Sequence, residues 1–129
     1  MGELYLATRA ERRSPPFALK IMARSYRENP EFLGMFQDEA RIGMRLSHSN
    51  IVGVHEIGNA EDTAFIVMEY VHGENLRSVL RTMDRLGERM APALAVKLAI
   101  DVLRGLDHAH QATDEEGRKL HLVHRDLSP

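Results

Sequence analysis

Residues 17–46 read FALKIMARSYRENPEFLGMFQDEARIGMRL, and two features of this stretch carry the fold assignment. Phe17–Met22 reads as a strand with Phe17, Leu19 and Ile21 on one face and Ala18, Lys20 and Met22 on the other. A lysine therefore sits between apolar neighbours. Asn29-Pro30-Glu31 then opens a helix, with Asn as cap, Pro in the first turn and an acid near the positive end of the dipole. Phe32, Met35, Phe36, Ile42 and Leu46 form its apolar stripe, and Glu39 falls inside that stripe. A glutamate at an inward position needs a cation or it loses its charge. The alternative is a slight roll of the helix that lets Glu39 reach solvent.

Working outward, Gly2–Thr8 alternates Leu4 and Leu6 with Glu3 and Tyr5 and reads as a half-buried strand. Arg9–Pro16, with its charges and the Pro15-Pro16 pair, reads as a hairpin tip. Ile51–Ile57 and Thr63–Tyr70 read as strands joined by a turn at Gly58-Asn59-Ala60-Glu61-Asp62. A polar-rich helix is expected from about Asn75 to Leu86, and Pro92 opens a long one. The long helix has one polar face, Lys97, Asp101, Arg104 and His108, and is apolar over most of its remaining circumference. So broad an apolar face belongs to a helix buried in a larger domain. Gln111–Leu120 reads as a charged loop, and the sequence closes on His124-Arg125-Asp126-Leu127-Ser128-Pro129. Both ends look cut.

Composition narrows the function. At 129 residues the chain is long enough for one cored domain and too short for two. Seventeen basic against nineteen acidic residues, with 5% aromatics and no basic face, argue against a nucleic-acid partner. The absence of cysteine excludes disulfides, thiolate metal sites and cysteine nucleophiles. His108, His110, His121 and His124 make no zinc site, because residues two apart on a helix point about 200° apart. The most apolar stretches, Ala64–Val71 and Ala91–Leu103, carry Glu69, Lys97 and Asp101 and are too short or interrupted to span a membrane. With no secretory leader visible, a cytoplasmic chain is expected.

The order of strand, lysine strand, helix with an inward glutamate, two strands and a terminal His-Arg-Asp resembles the protein kinase family, and its bacterial serine/threonine members in particular. Phe17-Ala18-Leu19-Lys20 matches the lysine strand, and Glu39 matches the helix glutamate. Ser47–Val52 looks like the turn into the fourth strand, Val67–Val71 like the hinge, and His124-Arg125-Asp126-Leu127 like the catalytic loop. The resemblance implies an α+β fold: a small antiparallel sheet with one packed helix over residues 1–70, a hinge at 71–74, and the start of a second lobe over 75–129.

It also implies site roles. Lys20 would meet the α- and β-phosphates of ATP, held by Glu39. Gly2 resembles the last glycine of the phosphate-covering loop, where only glycine lets the backbone approach closely. Leu4 and Ala18 would lie above the adenine ring, Leu76 below it and Met68 behind. The backbone of Glu69 and Val71 would bond its edge, and Asn75 would lie near the ribose. Asp126 would take or orient the proton of a substrate hydroxyl, Arg125 would pair with a phosphorylated activation loop, and His124 would pack internally. Ser128 stands where many members have a lysine for the γ-phosphate. No metal ligand is expected in the chain, since the asparagine and the Asp-Phe-Gly aspartate that hold Mg2+ would follow Pro129. The expected activity is ATP-dependent phosphoryl transfer to serine or threonine of a protein substrate, with the 129 residues alone inactive and prone to self-association. The competing class is a non-catalytic nucleotide-binding fragment, pseudokinase or scaffold.

Overall fold

The computed structural model describes residues 2–10, 15–124 and 126–128, which form two units, Met1–Val71 and His72–Pro129. In the first unit, strand β1 (Gly2–Ala7) pairs antiparallel with β2 (Phe17–Met22), from Gly2↔Met22 to Ala7↔Phe17. Strands β3 (Val54–Ala60) and β4 (Thr63–Glu69) form a hairpin, and β4 inserts beside β2 to give the order β1-β2-β4-β3. Part of the expected hairpin tip between β1 and β2, Glu11–Ser14, lies outside the described residues. Helix α1 (Pro30–Arg45) starts where the cap residues dictate, with Asn29 Oδ1 accepting the Glu31 amide at 3.0 Å.

Directly opposed residues on neighbouring strands share a face. Met22, Ala64 and Ile66 therefore project to one side of the sheet, where they bury against Phe36 and Ala40 of α1. The centre of the helix stripe is thus Phe36 and Ala40. Met35, expected in the stripe, is 48% exposed because it lies about 100° round the helix from Phe36. β1 departs from the expected half-burial as well, since Leu4 and Leu6 are exposed. Alternation assigned their face correctly, but β1 is an edge strand paired only with β2.

The β3–β4 hairpin has a tighter turn than the sequence suggested, and its first strand is shifted toward that turn. β3 begins at Val54 rather than Ile51, and Gly58, Asn59 and Ala60 remain in the strand. The reversal falls on Glu61 and Asp62 alone, both at positive φ (48° and 60°), the two-residue turn whose twist matches the flanking strands. Gly58 serves packing, since a Cβ there would lie 2.3 Å from Cζ of Phe65 on the partner strand.

In the second unit, α2 (Leu76–Arg85) is capped by Asn75, whose Oδ1 accepts the Ser78 amide at 2.8 Å. It ends with Gly87 at φ 70° and paired return bonds, Glu88 N–H to Met83 O and Gly87 N–H to Asp84 O. Helix α3 (Pro92–Gln111) carries the expected polar face, on which Asp101 pairs with Lys97 and Arg104. The charged segment after it is a small tied loop. Thr113 bridges Lys119, and Asp114 accepts the Arg118 amide at 2.8 Å, the Arg118 Nε–H at 2.7 Å and the Glu116 amide at 3.0 Å. The bond from the Arg118 amide leads in holding the Asp114 carboxyl below the usual aspartate range.

Candidate functional site

The site begins with cross-strand rows on the face of the sheet that α1 partly covers. One row is Leu4–Lys20–Ile66 and the next is Leu6–Ala18–Met68. The helix buries Ile66 and Met22, whereas Leu4 and Leu6 stay exposed. Lys20 stands at the border between the covered core and this open apolar strip.

From that border Lys20 Nζ donates to both carboxylate oxygens of Glu39, at 2.5 and 2.8 Å. Glu39 sits about 60° round α1 from the buried Phe36, at the flank of the stripe. Both sequence alternatives are therefore partly realised, with the carboxylate paired and yet 48% exposed. An ion pair this open to water contributes at most about 1 kcal/mol to stability, so its consequence is the position of the ammonium. Phe36 adds a second constraint, its ring centroid lying 5.7 Å from Nζ. Sequence reading counted Phe36 only as core, although its place three residues before Glu39 was a usable signal.

Gly2 has a tertiary reason to be glycine. A Cβ there would lie 3.0 Å from the Ile21 carbonyl oxygen and 3.1 and 3.2 Å from Cγ and Cε of Lys20. The lysine stem crosses the strand where a side chain would otherwise stand. Lys20 thus runs past Gly2 to Glu39, with Leu4 in its own row and Ala18 and Met68 in the next.

At the end of β4, Met68 packs partly against the core. Glu69 and Val71 are exposed, and the Glu69 amide donates to the Gly53 carbonyl at 2.8 Å. Gly53 was not singled out from the sequence, where nothing marks it. The remaining candidates belong to the second unit. Asn75 is occupied as a helix cap, Leu76 is half-buried at the start of α2, and Asp126 is exposed. His124, expected to pack internally, is exposed, and its Nδ1 accepts the Asp126 amide at 3.4 Å. Arg125 lies outside the described residues. Among the described residues no group of three His, Asp or Glu side chains is placed to hold a metal ion.

A steered ammonium beside a close backbone approach suits a polyanion, and the open apolar strip suits a flat ring. The protein kinase domain family model matches residues 1–129. The chain is 39% identical over its whole length to Tyrosine-protein kinase MasK of Myxococcus xanthus, covering 20% of that protein. It is 35% identical over 87% of its length to Serine/threonine-protein kinase PknA of Mycobacterium tuberculosis, covering 24%. The fold superposes on the crystal structure of the Mycobacterium tuberculosis PknI kinase domain with a TM-score of 0.73 and 30% identity, covering all of this chain and 48% of that one. The chain thus spans about a fifth to a quarter of these curated relatives and about half of the solved domain.

Proposed function

The chain belongs to the protein kinase family, and we propose on that footing that the whole protein transfers the γ-phosphoryl group of ATP to serine or threonine hydroxyls of protein substrates. The observation that carries this reading is the Lys20–Glu39 pair at the border of the open apolar strip. Lys20 meets the α- and β-phosphates, and the Gly2 backbone approaches them without a side chain in the way. Leu4, Ala18 and Met68 enclose the adenine together with Leu76, and the Glu69 and Val71 backbone bonds its edge. Asn75 is left a minor role near the ribose, because its side chain caps α2.

Asp126 takes the proton as the substrate oxygen bonds to phosphorus and ADP leaves. Mg2+, when bound, would neutralise the phosphate charge, with its proposed protein ligands outside residues 1–129. The name of PknA supports serine/threonine preference, and that of MasK supports tyrosine.

The test is γ-labelled ATP with Mg2+ and a basic protein acceptor, using the full-length protein. Asp126→Asn should lower transfer by roughly 10²–10⁴-fold while ATP still binds, and Lys20→Met should weaken both. Label on tyrosine alone overturns the serine/threonine assignment. ATP binding with no transfer in the wild type favours the scaffold reading.

A further inference from the structure

Glu69 is joined to Gly53 twice. Its amide donates to the Gly53 carbonyl at 2.8 Å, and its own carboxylate Oε2 accepts the Gly53 amide at 3.2 Å. In a regular antiparallel ladder the return bond from Gly53 would go to the Glu69 carbonyl. Here the side chain takes that bond. The substitution sits beside a bulge, because β3 slips register against β4 between Val54 and Glu56. The segment leading to Gly53 is itself folded by local bonds, with the Asn50 amide on His48 Nδ1 and the Ile51 amide on the His48 carbonyl, both at 3.0 Å. The carboxylate is therefore anchored to a structured loop.

We propose that the Glu69 side chain is a positioning residue for the nucleotide base. By accepting the Gly53 amide it keeps its own main-chain carbonyl out of the ladder, leaving that oxygen for the exocyclic amine of adenine. This inference rests on the nucleotide reading above and adds base selectivity to it. Adenine presents a donor at that edge and guanine an acceptor, so an available carbonyl favours ATP over GTP. With the carboxylate removed, the Gly53 amide turns to the carbonyl and competes with the base.

The test measures KM and kcat for ATP and for GTP in the full-length protein, with melting temperatures, for wild type, Glu69→Ala and Glu69→Gln. Glu69→Ala should raise KM for ATP by about three- to tenfold, the effect of one hydrogen bond, with kcat within about twofold and a smaller ATP-over-GTP preference. Glu69→Gln keeps an acceptor oxygen at the same reach and should restore most of the preference. An unchanged or lowered KM for ATP in Glu69→Ala overturns the proposal, and so does a glutamine variant as impaired as the alanine one. A fall in melting temperature and kcat with the ATP-to-GTP ratio intact also overturns it, showing a purely structural bond. A wild-type protein that binds neither nucleotide overturns the proposed function itself.

Discussion

Whether the ammonium of Lys20 is useful depends on where its stem can run, and the stem runs past Gly2. Adding one methyl at Gly2 places it 3.0 Å from a main-chain oxygen that cannot move cheaply and 3.1 Å from Lys20 Cγ. The lysine must give way, and its bonds to Glu39 lengthen. Gly2→Ala should therefore lower kcat/KM for ATP in the full-length protein by roughly 10–100-fold through misplacement alone. The melting temperature should hardly change, because β1 is an exposed edge. Unchanged kinetics would show that Lys20 has another path. A second residue-scale expectation concerns Asp114. Its folded carboxyl titrates below the ordinary aspartate value, first because of the Arg118 amide, so it stabilises its loop above the unfolded value and loses that contribution as pH falls through the folded one. The protection of the Arg118 and Glu116 amides, measured against their intrinsic exchange at each pH, should fall below about pH 4, and Asp114→Asn should show that lower protection already at neutral pH. Protection independent of both would count against the carboxylate as the tie.

Helix α1 holds the site through Phe36, which is fully buried and also faces the lysine. Phe36→Ala should cost about 3–5 kcal/mol by urea unfolding, while Phe36→Leu should cost clearly less and still lose the ring beneath Nζ. The β3–β4 turn invites the opposite change. Glu61 and Asp62 both hold positive φ, so replacing them with Asn-Gly should raise stability by roughly 1 kcal/mol. These elements also show what the sequence could disclose. Asn29-Pro30 and Asn75 announced their helices because capping is settled within a few residues. Glu39 in the apolar stripe marked a charge that needed either a partner or solvent, and the kinase resemblance supplied Lys20 as the partner. Gly58 misled because a glycine at a turn and a glycine under an aromatic ring look alike until Phe65 is in place. Gly2 crossing the lysine stem, and Glu69 reaching Gly53, depend on strands that meet only after folding. They were illegible for that reason.

At the scale of the whole molecule the decisive quantity is apolar surface. The chain exposes 10238 Å², whereas two separate domains of half its mass would together expose about 8,300 Å². Many of the exposed side chains are aliphatic. Along α3, Leu103 is 62% exposed, Val96 58% and Leu94 50%, with Val102 and Ile100 also open. Each side chain left wet forgoes up to roughly 1.5–3 kcal/mol of burial, and several together rival the ~5–15 kcal/mol net stability of a typical domain. The first unit has its own core of Met22, Phe36, Ala40, Ala64 and Ile66, whereas Gly105 is the one buried residue of α3. The isolated 129 residues should therefore bind a hydrophobic dye, associate at micromolar concentration and lose α3 protection in amide exchange before the sheet does. They should also transfer no measurable phosphate, since the proposed metal ligands lie outside them. Chain lengthened to the extent of the solved kinase domain, about twice that of these residues, should suppress both dye binding and association. A monodisperse monomer by light scattering, with one cooperative melt and no dye signal, would mean that the α3 surface is tolerated in water and that the two units are self-sufficient.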